Sequence, residues 1–185
     1  RAGARSLALV SASGSSAPRA AHGPRGLGSL ARRGGIACGA WALGDTRRGK
    51  RLGMGHGENT TYVQYRLASA AGPVALSLKV LAGWRDHHET QPHGEGAAQL
   101  DKVADGMRIR VTADAAPLFL FAAGAKFAPV NVWYRALALW LETERGLDVR
   151  EDLLPAIDVQ RLLFPGGAFT VVARTPTDDG GGEGS

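Results

Sequence analysis

The chain has 185 residues, 44% of them hydrophobic, with 22 Lys and Arg against 17 Asp and Glu for a formal net charge of +5. That is enough chain for one domain with a real core, and its longest apolar run, residues 115–125, is about half of what a membrane-spanning helix needs. The single cysteine, Cys38, excludes an internal disulfide framework and any zinc site built from several cysteines, and it fits a reducing, cytoplasmic setting.

Residues 1–40 hold 6 Arg and no Asp or Glu. They are otherwise Ala, Gly and Ser with a few Leu and Pro, and no aromatic residue precedes Trp41. No sustained period of 2 or 3.6 runs through them. Such a segment buries too little apolar surface to offset its ordering entropy, so it is expected to be disordered. A transit peptide, a basic tail and a misread or truncated start all fit it; the opening on Arg1 favours the last. The remaining residues carry a net charge near zero, so the basicity does not belong to a folded face and nucleic acid is not an expected partner.

From Trp41 the texture changes, and the folded domain is set at residues 41–174. Residues 60–67 alternate as a strand, with Thr61, Val63, Tyr65 and Leu67 on one face. Residues 74–82 are the clearest strand, Val74, Leu76, Leu78 and Val80 alternating with Ala75, Ser77 and Lys79. The turn composition Ala70-Ala71-Gly72-Pro73 between them suggests a hairpin. Residues 83–106 form a long polar connection, a feature that is often functional.

Further along, residues 107–113 alternate again, and residues 118–122 are a short apolar strand. In residues 133–145, Trp133, Leu137, Trp140 and Leu141 recur at spacings of three and four and Gly146 follows, which predicts a helix. Residues 157–164 and 168–173 flank Pro165-Gly166-Gly167 as a second hairpin. Residues 175–185 are a flexible Gly- and Asp-rich tail. The sum is a mainly β chain: an antiparallel β-sandwich with one helix and a disordered N-terminal segment.

One run goes beyond composition: Lys50-Arg51-Leu52-Gly53-Met54-Gly55-His56-Gly57-Glu58-Asn59-Thr60-Thr61-Tyr62-Val63-Gln64-Tyr65-Arg66-Leu67. It resembles the N-terminal domain of bacterial and archaeal glycogen debranching enzymes. Three further runs follow in that family's order: Trp84-Arg85-Asp86-His87-His88, Trp133-Tyr134-Arg135, and Glu142-Thr143-Glu144-Arg145-Gly146-Leu147-Asp148 with Arg150-Glu151-Asp152-Leu153. The resemblance implies a β-sandwich that precedes an (α/α)-barrel amylo-alpha-1,6-glucosidase domain acting on α-1,6 branches of glycogen. The barrel would carry the catalytic carboxylates, and the N-terminal domain would pack on it and help hold α-glucan. The Gly-rich segment that opens the family's domain does not show in residues 1–40, and the barrel is not in this sequence, so the chain itself is not expected to catalyse.

The candidate contact residues are Trp84, Arg85, Asp86 and His87, with Tyr134 and Arg135. Sugars are bound by aromatic faces that stack on C–H patches and by charged groups that hydrogen-bond hydroxyls in pairs; otherwise Trp84 is core and Arg85–Asp86 a surface ion pair. Trp133 and Trp140 lie on the apolar stripe and read as core, which leaves Tyr134 and Arg135 for contact with substrate or a neighbouring domain.

His87, His88, Glu89 and His93 match no zinc spacing, so no metal or other cofactor is expected. Glu142, Glu144, Asp148, Glu151 and Asp152 read as a solvated acidic face, or as a set of pairs with Arg145 and Arg150, rather than a catalytic pair. The expected function is that of an accessory domain. The rival is a free-standing carbohydrate-binding sandwich, and exposed apolar surface separates the two, since only a docking domain needs a contiguous patch.

Overall fold

The computed structural model describes residues 5–6, 27–82, 97–110, 116–130, 132–138 and 150–176. Among them are thirteen strands: β1 (Arg5–Ser6), β2 (Leu27–Arg33), β3 (Ile36–Leu43), β4 (Thr46–Met54), β5 (Thr60–Ser69), β6 (Val74–Ala82), β7 (Gln99–Val103), β8 (Gly106–Arg110), β9 (Leu118–Phe121), β10 (Lys126–Pro129), β11 (Tyr134–Ala138), β12 (Arg150–Leu163) and β13 (Ala168–Arg174). They form two sheets. The larger has eight strands in the order β2-β3-β4-β5-β13-β9-β8-β7. The smaller has five, in the order β1-β6-β12-β10, with β11 also on β12. All pairings are antiparallel except the two-residue β1 on β6.

The core lies between the sheets. Leu67, Ile109, Leu120, Phe169 and Val171 of the large sheet meet Val74, Leu154, Ile157, Val159 and Leu163 of the small one, all 6% exposed or less. Each such aliphatic side chain contributes about 1.5–3 kcal/mol when removed from water. The alternation in residues 60–67 and 74–82 therefore holds, and so does the mainly β, antiparallel two-sheet class.

Three local expectations are corrected. The two supposed hairpins are arches. β5 pairs with β4 and β13, while β6 pairs with β12 and β1, so residues 70–73 carry the chain from one sheet to the other. Residues 164–167 do the same between β12 and β13. Turn composition specifies a reversal but not which partner each strand takes, and apolar residues on the facing surfaces of β5 and β6 are best buried by stacking the strands across the core.

The helix expected over residues 133–145 is also corrected. Residues 134–138 are β11, in register with β12 through Tyr134↔Leu153, Leu137↔Glu151 and Ala138↔Arg150. The start of the 14-residue β12 offers an edge, and pairing with it overrides a helical spacing that rests on four residues. Residues 139–149 lie outside the described residues.

The boundary expected at residue 40 falls inside β3, and residues 27–40 form β2 and most of β3. Their composition is poor for strands, but two-residue turns set them. Arg33↔Ile36 closes on Gly34-Gly35, and Leu43↔Thr46 closes on Gly44-Asp45. Gly34, Gly35 and Gly44 have φ of 54°, 82° and 59°, the left-handed region that tight hairpin turns demand.

Candidate functional site

The eight-stranded sheet is wider than its partner, and burial along single cross-strand rows records where the cover ends. One row runs Phe169–Tyr65–Lys50–Gly39–Leu30 across β13, β5, β4, β3 and β2. Phe169 is 5% exposed, Tyr65 and Lys50 are half-buried, and Leu30 is 74% exposed. The next row begins Val171–Val63–Leu52, with Val171 buried, Val63 half-buried and Leu52 40% exposed. Met54, on the same face of β4 by the two-residue strand period, is 71% exposed. The inner face of β2–β4 is thus a shelf that extends past the core, apolar at Leu30, Leu52 and Met54.

A third row places Trp41 opposite Arg48, and Arg48 opposite buried Leu67. The Trp41 ring lies across Gly39, occupying the space where a Cβ would stand; only glycine lets the indole lie flat on the sheet there. Nε and Nη2 of Arg48 are buried with no hydrogen-bond partner among the described residues, and burial lowers the pKa of the guanidinium. Unpaired desolvated donors are costly, and those of a cation more so. Beside them the Lys50 ammonium sits 5.6 Å from the centre of the Tyr65 ring, a cation–π contact, and burial raises the Tyr65 pKa. The shelf offers stacking area, cationic donors and apolar contact.

The residues singled out from sequence are divided by the structure. Trp84, Arg85, Asp86 and His87 lie outside the described residues. The chain reaches them from Ala82, which is 5% exposed and pairs with Leu154. Tyr134 pairs with the adjacent Leu153, so Tyr134 and the strand end leading to Trp84 flank the same stretch of β12, away from the arches.

Tyr134 is 8% exposed, so its ring is largely enclosed by the fold. Trp133 packs against the core as expected. The backbone of Arg135 is in β11, while its side chain lies outside the described residues. Asp152 is 7% exposed, which sets aside the solvated-face alternative at that position; the side chains of Arg145 and Arg150 lie outside the described residues. His87, His88, Glu89 and His93 are outside the described residues, and among those described no three His, Cys, Asp or Glu side chains converge as a metal site requires.

Sequence reading missed Trp41, Arg48 and Leu30. The available signal was the pair of two-residue glycine turns, which joins β2 to β3 and β3 to β4 and so carries Leu30 and Trp41 onto the face of β4 that bears Arg48 and Lys50.

A family model described as glycogen debranching enzyme N terminal matches residues 6–170. The search of curated proteins returned no match, and neither did the search of solved structures.

Proposed function

From its membership of the glycogen debranching enzyme N-terminal family, we propose that this chain is an accessory domain that packs on an amylo-alpha-1,6-glucosidase barrel and helps it hold α-glucan in a cytoplasmic enzyme. The observation that carries the packing is the row from Phe169 to Leu30, which passes from core to solvent on one continuous sheet face. A sandwich acting alone has no use for Leu30, Leu52 and Met54 on an uncovered face, whereas a docking domain does. The shelf therefore favours the accessory reading over a free-standing carbohydrate-binding sandwich.

Contact with glucan or with the neighbouring domain is assigned to Trp84, Arg85, Asp86, His87, Tyr134 and Arg135 from the sequence. The barrel would supply the acid and base carboxylates, one on each side of the scissile bond. The test is a pair of curves on each variant: branched malto-oligosaccharide binding by calorimetry, and thermal unfolding. Trp84→Ala and Arg85→Ala are expected to weaken glucan affinity while leaving the melt within a few degrees of wild type. Equal loss of both, or unaltered binding, would overturn the glucan assignment and leave only the packing.

A further inference from the structure

The outer face of the same strands carries a different chemistry. On β4, Arg47, Gly49 and Arg51 alternate to one side, and Gly49 is in register with Arg66 of β5. Alternate residues of a strand lie about 6.5–7 Å apart, and facing residues on neighbouring strands about 5 Å. Three guanidinium groups on flexible stems thus rise around one glycine.

On the other side of Gly49 the floor is small, with Ala40 opposite it and Cys38 opposite Arg51. A Cβ built on Gly49 would meet nothing closer than the Gly39 carbonyl at 3.9 Å. The space above it is open and forms a trough of about 410 Å³ whose lining includes Ser29, Gln64 and the three arginines and, among the described residues, no Asp or Glu. Arg47, Arg51 and Arg66 are exposed, and none makes an ion pair among the described residues.

We propose that this trough is a phosphate-binding site, taking a phosphate monoester over Gly49 between Arg47, Arg51 and Arg66. A planar guanidinium presents paired N–H donors that match the oxygens of phosphate. Three of them around a floor without a side chain let the anion approach the sheet, where the Ser29 hydroxyl and the Gln64 amide add neutral donors at the rim. Among the described residues no carboxylate lines the trough to compete for the arginines. A neutral glucan has no need of three cations, whereas a phosphate carried on a sugar does. The site stands apart from the apolar shelf, which is on the opposite face of the same strands.

The test is calorimetric titration of the full chain with glucose, inorganic phosphate and glucose 6-phosphate. Both phosphates are expected to bind and glucose alone is not. Tighter binding of glucose 6-phosphate identifies a sugar phosphate as the ligand, and equal binding identifies free phosphate. Arg51→Gln and Arg66→Gln should each weaken affinity about tenfold, the loss of one charge-assisted hydrogen-bonding partner.

Gly49→Val fills the open floor without altering charge and should weaken phosphate binding at least as much as either arginine variant. Lys102→Gln, on the distant β7, should change nothing. Bound phosphate should also slow alkylation of Cys38, the only cysteine of the chain. No binding of either phosphate, Gly49→Val binding as wild type, or equal losses in Lys102→Gln and Arg51→Gln would each overturn the site in favour of diffuse positive charge.

Discussion

The Leu67 N–H donates to the Gly167 carbonyl at 3.0 Å, and the Leu67 carbonyl accepts from the Gly166 N–H at 2.7 Å. These two bonds fasten the 164–167 arch to β5, just before the chain enters the 70–73 arch. Residues 70–73 and 164–167 cross between the sheets side by side, because β5 pairs with β13 in one sheet and β6 with β12 in the other. Leu67 also fills the core at 1% exposure, so a single residue joins the backbone clamp to the packing.

Gly166 holds φ at 82° within that clamp. Gly166→Val places a β-branched side chain in the left-handed region and should lower stability by about 1–2 kcal/mol. Urea denaturation followed by tryptophan fluorescence measures it, and a midpoint equal to wild type would contradict the clamp.

Leu67 and Leu30 sit on the same face of the large sheet at opposite ends of the burial gradient. Leu67→Ala should cost about 2–5 kcal/mol through lost burial and the cavity left behind. Leu30→Ala should stay within about 0.5 kcal/mol of wild type. Similar costs for the two would mean that the shelf is covered within the chain itself.

Arg48 is expected to be destabilising where it stands. Arg48→Met keeps the length and apolar stem while removing donors that are buried without partners among the described residues, and should raise stability by about 1 kcal/mol. A drop of that size in urea denaturation would show that the guanidinium is already satisfied.

Burial raises the Tyr65 phenol above its ordinary pKa of 10.0. The folded chain therefore holds this proton more tightly than the unfolded chain does. The resulting stability is full below the unfolded value and is lost as pH rises through the folded one. Thermal melts between pH 8 and 11 should show wild type losing more than Tyr65→Phe at the alkaline end, and parallel curves would contradict it.

The strands with clean alternation, such as residues 74–82, were legible because a period of 2 with aliphatic residues has one reading. The arches were not, since Ala70-Ala71-Gly72-Pro73 and Pro165-Gly166-Gly167 announce a reversal without naming the partner strand. β11 was hidden because Trp133, Leu137, Trp140 and Leu141 satisfy a helical spacing, which says nothing of the edge that the next strand, β12, offers to residues 134–138. β2 and β3 were hidden by Ala- and Gly-rich composition, although Gly34-Gly35 and Gly44-Asp45 carried the turn signal.

The shelf was the least legible feature. Tyr65 and Leu52 alternate as core residues would, and only the unequal width of the two sheets decides that one is half-covered and the other exposed.

The most direct test is amide hydrogen exchange on this chain, alone and mixed with a separately produced amylo-alpha-1,6-glucosidase barrel from a debranching enzyme of the same family. The account predicts slowed exchange across β2, β3 and β4 on mixing, and loss of that protection in a Leu30→Asp, Leu52→Asp double variant that still melts as wild type. Unchanged exchange in these three strands, or protection confined to other strands, would contradict a docking role for the shelf.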